Sequence, residues 1–190
     1  MYVVLEGIDT VGKSTQARLL KNVYKNAIFT REPTDGDFGK RIRDLALNYN
    51  ISNTAQALLF MADRANNAVY IQSILESEDD KLIISDRSFI SGVAYGIDLD
   101  YNFLLEMNTK IAPLPNLIIV LVANEDTLRK RMNEKSLDNI EKNGINYLLS
   151  IQNRILNIVD SLGIESIKID CNEDKDKILQ SIIFKIDSML

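Results

Sequence analysis

Short runs of apolar residues alternate along the chain with longer segments in which apolar residues recur every three or four positions. The short runs predict β-strands, and the recurrence at helical spacing predicts α-helices between them. The predicted strands are residues 2–5, 27–30, 82–86, 117–122 and 164–170. The predicted helices are residues 14–25, 38–47, 52–77, 90–95, 101–111, 147–162 and 174–189, with one more beginning after Asn124. This alternation predicts an α/β fold with a central parallel five-stranded sheet and helices on both faces.

The alternation continues from one end of the chain to the other, without a repeat or an inter-domain linker. Residues 1–190 are therefore predicted to form a single domain. Polar residues from about 133 to 143 interrupt the apolar pattern between two predicted helices, and we expect a short lid there. The most apolar run, residues 117–122, predicts a central strand that is buried on both faces.

Composition and charge exclude several classes of function. The 190 residues carry a formal net charge of −5, which argues against a general affinity for nucleic acid, because that affinity relies on clustered Lys and Arg. The chain contains no histidine, so Ser–His nucleophilic chemistry and His-based metal sites are excluded. Its one cysteine, Cys171, excludes an internal disulfide framework.

The apolar runs are too short to span a membrane, and no signal segment precedes the first predicted strand. We therefore expect a protein of the cytoplasm with no membrane partner.

One motif points directly to phosphate chemistry. Residues 7–14, Gly-Ile-Asp-Thr-Val-Gly-Lys-Ser, have the spacing of a phosphate-binding loop and lie between a predicted strand and a predicted helix. In such a loop the backbone N–H groups bind anionic oxygens, Lys13 reaches the β- and γ-phosphates, and the Ser14 hydroxyl holds Mg²⁺. We expect the Lys13 side chain to be exposed to ligand rather than buried. The predicted nucleotide-binding residues are Gly7, Ile8, Asp9, Thr10, Val11, Gly12, Lys13, Ser14 and Thr15.

Two further patterns support this prediction. The strand of residues 82–86 ends in Asp86, which is the form of a Walker B strand whose carboxylate helps to hold Mg²⁺ beside the loop. Arginines also follow predicted strands or lie in the predicted helix 52–77, where their guanidinium groups would form a second anion site. Those arginines are Arg31, Arg64 and Arg87.

A phosphate loop by itself is compatible with several classes of protein. Residues 122–126, which follow the central strand, lack the Lys of the guanine signature Asn-Lys-x-Asp, so a GTPase is disfavoured. A small-molecule kinase is favoured, and these patterns leave open whether its acceptor is a nucleoside, a nucleotide or another small metabolite. A nucleotide-dependent binding module that switches a partner is the rival outside enzymes.

Several motifs together resemble the thymidylate kinase family, over essentially the whole chain. The similar segments are the phosphate loop with its flanks (residues 5–16), Thr-Arg-Glu-Pro (30–33), Leu-Phe-Met-Ala-Asp-Arg (59–64), the Asp-Arg segment (86–95) and Leu-Asp-Asn-Ile-Glu (137–141). The resemblance implies a phosphate-loop kinase fold with a short lid. It also implies ATP-dependent phosphorylation of dTMP to dTDP with Mg²⁺, in the synthesis of dTTP, by a homodimer.

The resemblance also implies roles for individual residues. Arg31 and Arg87 would hold the acceptor phosphate, with Arg87 counted among the catalytic residues together with Lys13. Phe60 would stack on thymine while Arg64 hydrogen-bonds its carbonyl edge, and Ser91 and Tyr95 would line the base and the sugar. Asp9 would accept from the 3′-hydroxyl of the sugar or lie near the metal, which Ser14 and Asp86 would hold. The peptide bond before Pro33 is expected to be cis.

Three departures from the family pattern change these expectations. Thr10 occupies a loop position that is Arg in one branch, so the cation facing the transferring phosphoryl group is expected from the window 129–135 instead. The candidates for this cation are Arg129, Arg131 and Lys135. The alternative is that these side chains lie on a solvated helix face and have no role in the chemistry. Ser88 replaces the usual aromatic residue after Asp-Arg, and Gly96 replaces a frequent Gln.

Overall fold

The computed structural model describes residues 1–77, 81–133 and 144–190. Five β-strands in these residues form one sheet: β1 (Tyr2–Glu6), β2 (Ile28–Arg31), β3 (Ile83–Asp86), β4 (Leu117–Val122) and β5 (Ser166–Asp170). The helices of the described residues are α1 (Lys13–Val23), α2 (Asp37–Asn48), α3 (Asn53–Leu75), α4 (Phe89–Tyr95), α5 (Tyr101–Ile111), α6 (Glu125–Asn133), α7 (Ile145–Leu162) and α8 (Lys175–Asp187).

The sheet has the strand order β2-β3-β1-β4-β5, and all of its pairs are parallel. β1 lies at its centre, with Leu5 opposite Asp86 on β3 and Ile119 on β4. The residues of β1 are buried throughout, and β4 is buried except for its last residue, as expected for strands with helices over both faces. The strands that directly follow β1 in sequence, β2 and β3, lie on one side of it in the sheet, whereas β4 and β5 lie on its other side. The carboxyl end of β1 is thus a switch point, where α/β sheets bind ligands.

The helices form two groups by their contacts. α1 packs against α8, while α4 packs against α3, α5 and α7. Local sequence signals set several helix ends: the Ser52 hydroxyl accepts from the Ala55 N–H at 3.2 Å, and the Asn124 side chain accepts from the Thr127 N–H at 2.9 Å. Gly163 ends α7 in the left-handed conformation with a φ of 64°.

The predicted α/β class, the five parallel strands and their order along the chain are confirmed. Element boundaries differ by a few residues, for example in β5, which begins at Ser166 rather than at residue 164. The predicted lid begins within the end of α6, and its remainder, residues 134–143, lies outside the described residues. Within the described part of the chain, each helix is too short or too polar to cross a membrane.

Candidate active site

The phosphate loop lies between β1 and α1, at the carboxyl edge of the sheet. Gly7 has a φ of 139°, and a β-carbon at this position would lie 2.4 Å from the Leu121 carbonyl oxygen on β4. A side chain cannot be accommodated there, so Gly7 allows the loop to pass close to the neighbouring strand. Gly12 is the N-cap of α1, and its carbonyl accepts from the N–H groups of Thr15 and Gln16. The helix N-terminus consequently opens onto the loop, where it favours an anion.

Lys13 is 5% exposed, so the expectation that its side chain is exposed to ligand was wrong. Lys13 is the first residue of α1, and its side chain folds back over the loop to donate to the Ile8 carbonyl at 2.6 Å. Burial lowers the pKa of Lys13 to about 8, and the positive charge of Arg87 acts in the same direction. The loop therefore encloses its own cation, whose ammonium is bonded to a loop carbonyl.

Ser14 and Asp86 lie together beside the loop, as the Walker B interpretation of the strand 82–86 predicted. The Ser14 hydroxyl donates to Asp86 Oδ2 at 2.7 Å, across a separation of 72 positions in the chain. A hydroxyl and a carboxylate are hard oxygen ligands of the kind that Mg²⁺ uses, and Mg²⁺ commonly completes its shell with water and substrate phosphate oxygens. This donor set fits Mg²⁺. In the described part of the chain, no group of three or more His, Cys, Asp or Glu residues could hold a metal.

A pocket next to the loop contains every residue predicted to bind the substrate. Its walls come from the ends of β1, β2 and β3 and from α2, α3 and α4. The predicted residues that line it are Asp9, Arg31, Phe60, Arg64, Arg87, Ser91 and Tyr95. These residues are spread over more than 80 positions in the chain, and only the fold brings them together.

Arg87, Asp9 and Tyr95 form the polar group on the side of the pocket that adjoins the loop. Arg87 Nη2 donates to Asp9 Oδ1 at 2.5 Å, and the Tyr95 hydroxyl donates to Asp9 Oδ2 at 3.2 Å. The Arg87 guanidinium carbon also lies 5.5 Å from the centre of the Tyr95 ring. Arg87 has a φ of 77°, which is unusual for a side chain of this size. Strained backbone of this kind occurs preferentially at functional sites.

The charges in this group shift each other's pKa values. Burial alone would raise the pKa of Asp9, but the positive charges of Arg87 and Lys13 together outweigh it and lower the pKa to about 2. Burial alone would lower the pKa of Arg87, whereas Asp9 and the neighbouring acidic groups raise it above its usual range. Both groups are therefore charged at neutral pH.

The Asp9→Asn variant tests this electrostatic arrangement. Because the folded-state pKa of Asp9 is depressed from 3.8, its contribution to stability is present above that value and is lost as the pH falls toward about 2. We expect the unfolding free energy of the unaltered chain to fall more steeply over this interval than that of the variant. Urea denaturation across the interval measures the difference, with the exposed Asp126→Asn as control. Parallel curves for Asp9→Asn and the unaltered chain would contradict the assignment.

Arg64 lies at the base of the pocket and is 3% exposed. It donates to Glu32 Oε2 through Nε at 2.8 Å and through Nη2 at 2.6 Å, and to Asn108 Oδ1 through Nη1 at 2.6 Å. Burial raises the pKa of Glu32 despite the opposing effect of Arg64. A β-carbon at Gly92 would lie 2.7 Å from Arg64 Nη2, so the glycine leaves room for the guanidinium. The ion pair and the hydrogen bond to Asn108 fix the Arg64 guanidinium in the wall of the pocket.

Arg31 and Arg43 bring two more guanidinium groups to the pocket. Arg31 Nε is buried without a hydrogen-bond partner among the described residues, and Arg31 Nη1 lies 3.6 Å from Asp35 Oδ1. The pKa of Arg43 is lowered, mainly by burial and next by the positive charge of Arg31. Like charges held close together, with one donor unsatisfied, indicate a site for an anion.

Sequence reasoning missed Arg43 and Glu32 as parts of the site. Arg43 lies within a helix, where a charged residue on the polar face is ordinary, and no strand end marks it. Glu32 belongs to the Thr-Arg-Glu-Pro segment of residues 30–33. Its position directly after Arg31 was the sequence feature that could have identified it as part of the site. The expected cis peptide bond between Glu32 and Pro33 is confirmed.

The structure distinguishes Arg131 from Arg129, two of the three cations of the window 129–135. Arg131 donates to the Thr10 carbonyl at 2.8 Å and to the Cys171 carbonyl at 2.5 Å, so it lies against the phosphate loop. Arg129 lies on the exposed side of α6, where it pairs with Glu125 at 2.7 Å. Lys135 lies outside the described residues.

A parallel sheet with a phosphate loop at its switch point, facing a pocket lined by arginines, defines a phosphate-loop kinase. The sequence model of the family described as Thymidylate kinase matches residues 5–182. The chain belongs to the thymidylate kinase family, whose members are nucleoside monophosphate kinases.

Known members of the family cover nearly the whole chain. The chain is 45% identical to the thymidylate kinase of Campylobacter jejuni subsp. doylei, with 96% of this chain and 97% of that protein covered. It is 42% identical to the thymidylate kinase of Helicobacter hepaticus, with 96% of each covered. The crystal structure of thymidylate kinase from Ehrlichia chaffeensis has a TM-score of 0.76 and covers 98% of each chain at 18% identity, which supports the fold. The predicted family and enzyme class are thus confirmed.

Proposed function

We propose that this chain transfers the γ-phosphoryl group of ATP to the phosphate of dTMP, and that ADP and dTDP are its products. The observation that carries this proposal is the pocket beside the phosphate loop, which contains all seven residues predicted to bind the acceptor. The relatives named as thymidylate kinases, which align along nearly the whole chain, support dTMP as the acceptor.

In the proposed complex, the phosphate loop holds the donor. The loop N–H groups and Lys13 neutralise the β- and γ-phosphates, and the Lys13 ammonium exchanges its hydrogen bond to the Ile8 carbonyl for phosphate oxygens. Ser14 and Asp86 are the residues that would hold Mg²⁺, which supplies charge neutralisation at the phosphates when bound. The hydrogen bonds of Asp9 to Arg87 and Tyr95 support a role on the acceptor side of the loop rather than at the metal.

The acceptor phosphate would lie among the guanidinium groups of Arg31, Arg43 and Arg87. An oxygen of this phosphate is already anionic at neutral pH, so its attack on the γ-phosphorus requires no general base. The chain accordingly needs alignment and charge neutralisation more than proton transfer. Phe60 provides an apolar face for the base, and Arg64, fixed by Glu32 and Asn108, provides a donor edge.

The test of this proposal is ADP release by the purified chain with ATP, Mg²⁺ and each of a panel of nucleoside monophosphates. We expect dTMP to stimulate release far more than dCMP, dAMP, dGMP or UMP, and mass spectrometry to detect dTDP. Equal stimulation by another monophosphate would favour the alternative, a phosphate-loop kinase for a different acceptor. Slow ATP hydrolysis that no acceptor stimulates would favour the nucleotide-dependent switch.

Arg131 is the residue of the window 129–135 that we propose acts at the transferring phosphoryl group. Its contact with the Thr10 carbonyl holds a guanidinium at the phosphate loop, while Arg129 pairs with Glu125 on the surface. We expect Arg131→Ala to lower turnover at saturating ATP and dTMP by about tenfold or more, because the charge acts in the transition state. Arg129→Ala is the matched control, and we expect it to stay within about twofold, as an exposed ion pair contributes little.

A larger loss of turnover for Arg129→Ala than for Arg131→Ala would contradict the assignment of Arg131 to the transferring phosphoryl group. Lys135→Ala belongs in the same series, because the window as a whole was predicted to supply the cation. Turnover within a few-fold of the unaltered chain for all three variants would remove the window from the chemistry.

We also propose that the chain forms a homodimer, as expected from the family resemblance. The support is an uncharged exposed stripe on α3, formed by Leu58, Ala62, Ala65 and Val69. Their spacing of four, three and four positions is that of a helix–helix seam, and Leu58 and Val69 are 48% and 73% exposed. We expect the unaltered chain to be a dimer and Val69→Glu to be a monomer. Sedimentation velocity on both proteins tests this prediction.

A further inference from the structure

Glu6 is a buried carboxylate that the proposed mechanism does not use. It is the last residue of β1, directly before the phosphate loop, and its side chain has no solvent exposure. Oε1 accepts from Ser88 N at 2.8 Å, from Ser88 Oγ at 2.7 Å and from Ser91 N at 3.3 Å, and Oε2 accepts from Ser91 Oγ at 2.6 Å. Burial of a carboxylate is costly, and these four hydrogen bonds offset the cost.

Every one of these partners is a donor toward Glu6. The Ser88 hydroxyl also accepts from the Ile90 N–H at 3.2 Å, so its single proton is directed to Glu6. The Ser91 hydroxyl accepts from Arg87 Nη1 at 2.9 Å, and a guanidinium can only donate. The Ser91 proton is therefore directed to Glu6 as well, and a continuous chain of hydrogen bonds runs from Arg87 through Ser91 to Glu6.

We propose that Glu6 is a positioning residue for the acceptor phosphate. It orients the Ser91 hydroxyl, whose oxygen accepts the hydrogen bond from Arg87 Nη1. This inference rests on the proposed function and adds to it a residue that does not line the pocket.

The geometry explains why a second anchor matters. Asp9 holds Nη2 of Arg87 at 2.5 Å, and Ser91 holds Nη1 from another side. With both nitrogens held, the plane of the guanidinium is set, and its free N–H groups face a fixed direction. Without the Ser91 anchor, Nη1 keeps only a 3.4 Å contact with the Gly7 carbonyl, which is long for a hydrogen bond. A planar fork that is held in advance binds phosphate oxygens with a smaller loss of freedom.

The Glu6→Gln variant tests the proposal with little change of shape. The amide offers one acceptor oxygen and an NH₂ donor, so at least one of the four donors around position 6 loses its acceptor. If the NH₂ of the new side chain faces Ser91, the Ser91 hydroxyl oxygen meets two donors, Arg87 Nη1 and this NH₂ group. The Ser91 proton then has no acceptor at residue 6. We expect the KM for dTMP to rise by about tenfold, as for a lost hydrogen bond to a charged group, and the KM for ATP to stay within about twofold.

Two further variants separate positioning from a structural role. Ser88→Ala removes the N-cap of α4 and one partner of Glu6, yet it leaves the path from Arg87 to Glu6 intact, so we expect a smaller rise in the KM for dTMP. Ser91→Ala cuts the path, and we expect it to match Glu6→Gln, with the double variant Glu6→Gln/Ser91→Ala little worse than either. Calorimetric dTMP binding by the same proteins provides a readout that does not depend on turnover.

Each outcome decides for or against the proposal. A selective rise in the KM for dTMP, non-additive in the double variant, supports it. Equal increases in the KM for dTMP and for ATP, or an effect of Ser88→Ala as large as that of Glu6→Gln, would show that Glu6 only stabilises the helix. Turnover of dTMP by the unaltered chain is measured first, so a failure of the proposed function is seen there and a failure of the Glu6 role only in the variants.

Discussion

Lys13→Ala is expected to lower dTMP-dependent turnover by about a hundredfold to a thousandfold. Lys13 is the cation that the phosphate loop encloses, and its ammonium lies 2.6 Å from the Ile8 carbonyl, where we propose that phosphate oxygens replace that carbonyl. Removal of one charged donor that acts on the transferring group costs about 3–4 kcal/mol of transition-state stabilisation in comparable sites. Steady-state kinetics at saturating ATP and dTMP measures the effect.

The matched control is Lys21→Ala, which removes an exposed lysine from the other end of α1. Lys21 lies 5.4 Å from the centre of the Phe29 ring, so its removal affects stability slightly and the chemistry not at all. Circular dichroism and thermal unfolding show whether Lys13→Ala keeps its fold. A folded Lys13→Ala protein that turns over near the unaltered rate would refute the phosphate-loop assignment.

Arg87→Ala is expected to lower kcat/KM for dTMP by about a hundredfold or more. Three features of the pocket depend on this guanidinium: the ion pair with Asp9, the contact with the Tyr95 ring and the hydrogen bond to Ser91. Its loss removes the donor fork that we propose binds the acceptor phosphate, and it leaves the half-buried Asp9 without its main counter-charge. Kinetics over a range of dTMP concentrations, together with calorimetric dTMP binding, separates weaker binding from slower transfer.

Arg41→Ala is the control for Arg87→Ala, because Arg41 is an exposed arginine on α2, close in sequence to Arg43. We expect its kcat/KM to stay within about twofold of the unaltered chain, as for surface charges in general. Arg87→Lys adds a sharper test. A lysine keeps the charge but cannot reach Asp9, Ser91 and a phosphate together, so most of the loss is expected to remain. Full activity of Arg87→Lys would show that only the charge matters.

Several features of the fold and site were predictable because their signals are local. The phosphate loop needs its Gly, Lys and Ser at fixed spacing between a strand and a helix, and all of these occur within residues 2–23. The caps at Ser52, Asn124 and Gly163 each depend on a side chain or a backbone angle at a single position. Apolar runs bounded by polar turns predicted the strands, and strict alternation with helices predicted that the sheet is parallel.

The residues predicted to bind the substrate could be named for a different reason. Their positions followed from motifs shared with a family, and the fold then confirmed that they lie in one pocket. Spacing alone places neither Phe60 on α3 nor Tyr95 on α4 near Asp9. The meeting of Arg31 and Arg87 in the pocket, by contrast, could be expected without the family. Both follow strands of a parallel sheet, and such strands end at one edge of the sheet and bring their terminal residues together.

The sequence by itself determined the order of the elements, the phosphate loop and the class of chemistry, since these depend on local spacing and on hydrophobic periodicity. The tertiary structure alone decided which charged groups meet. It placed Arg131 on the Thr10 carbonyl and Arg129 in solvent, added Arg43 to the pocket, and directed Lys13 inward. It also joined Arg87 through Ser91 to Glu6, although Glu6 precedes Ser91 by 85 positions. Such contacts depend on how distant strands and helices pack, and the residues that make them carry no mark in the sequence pattern.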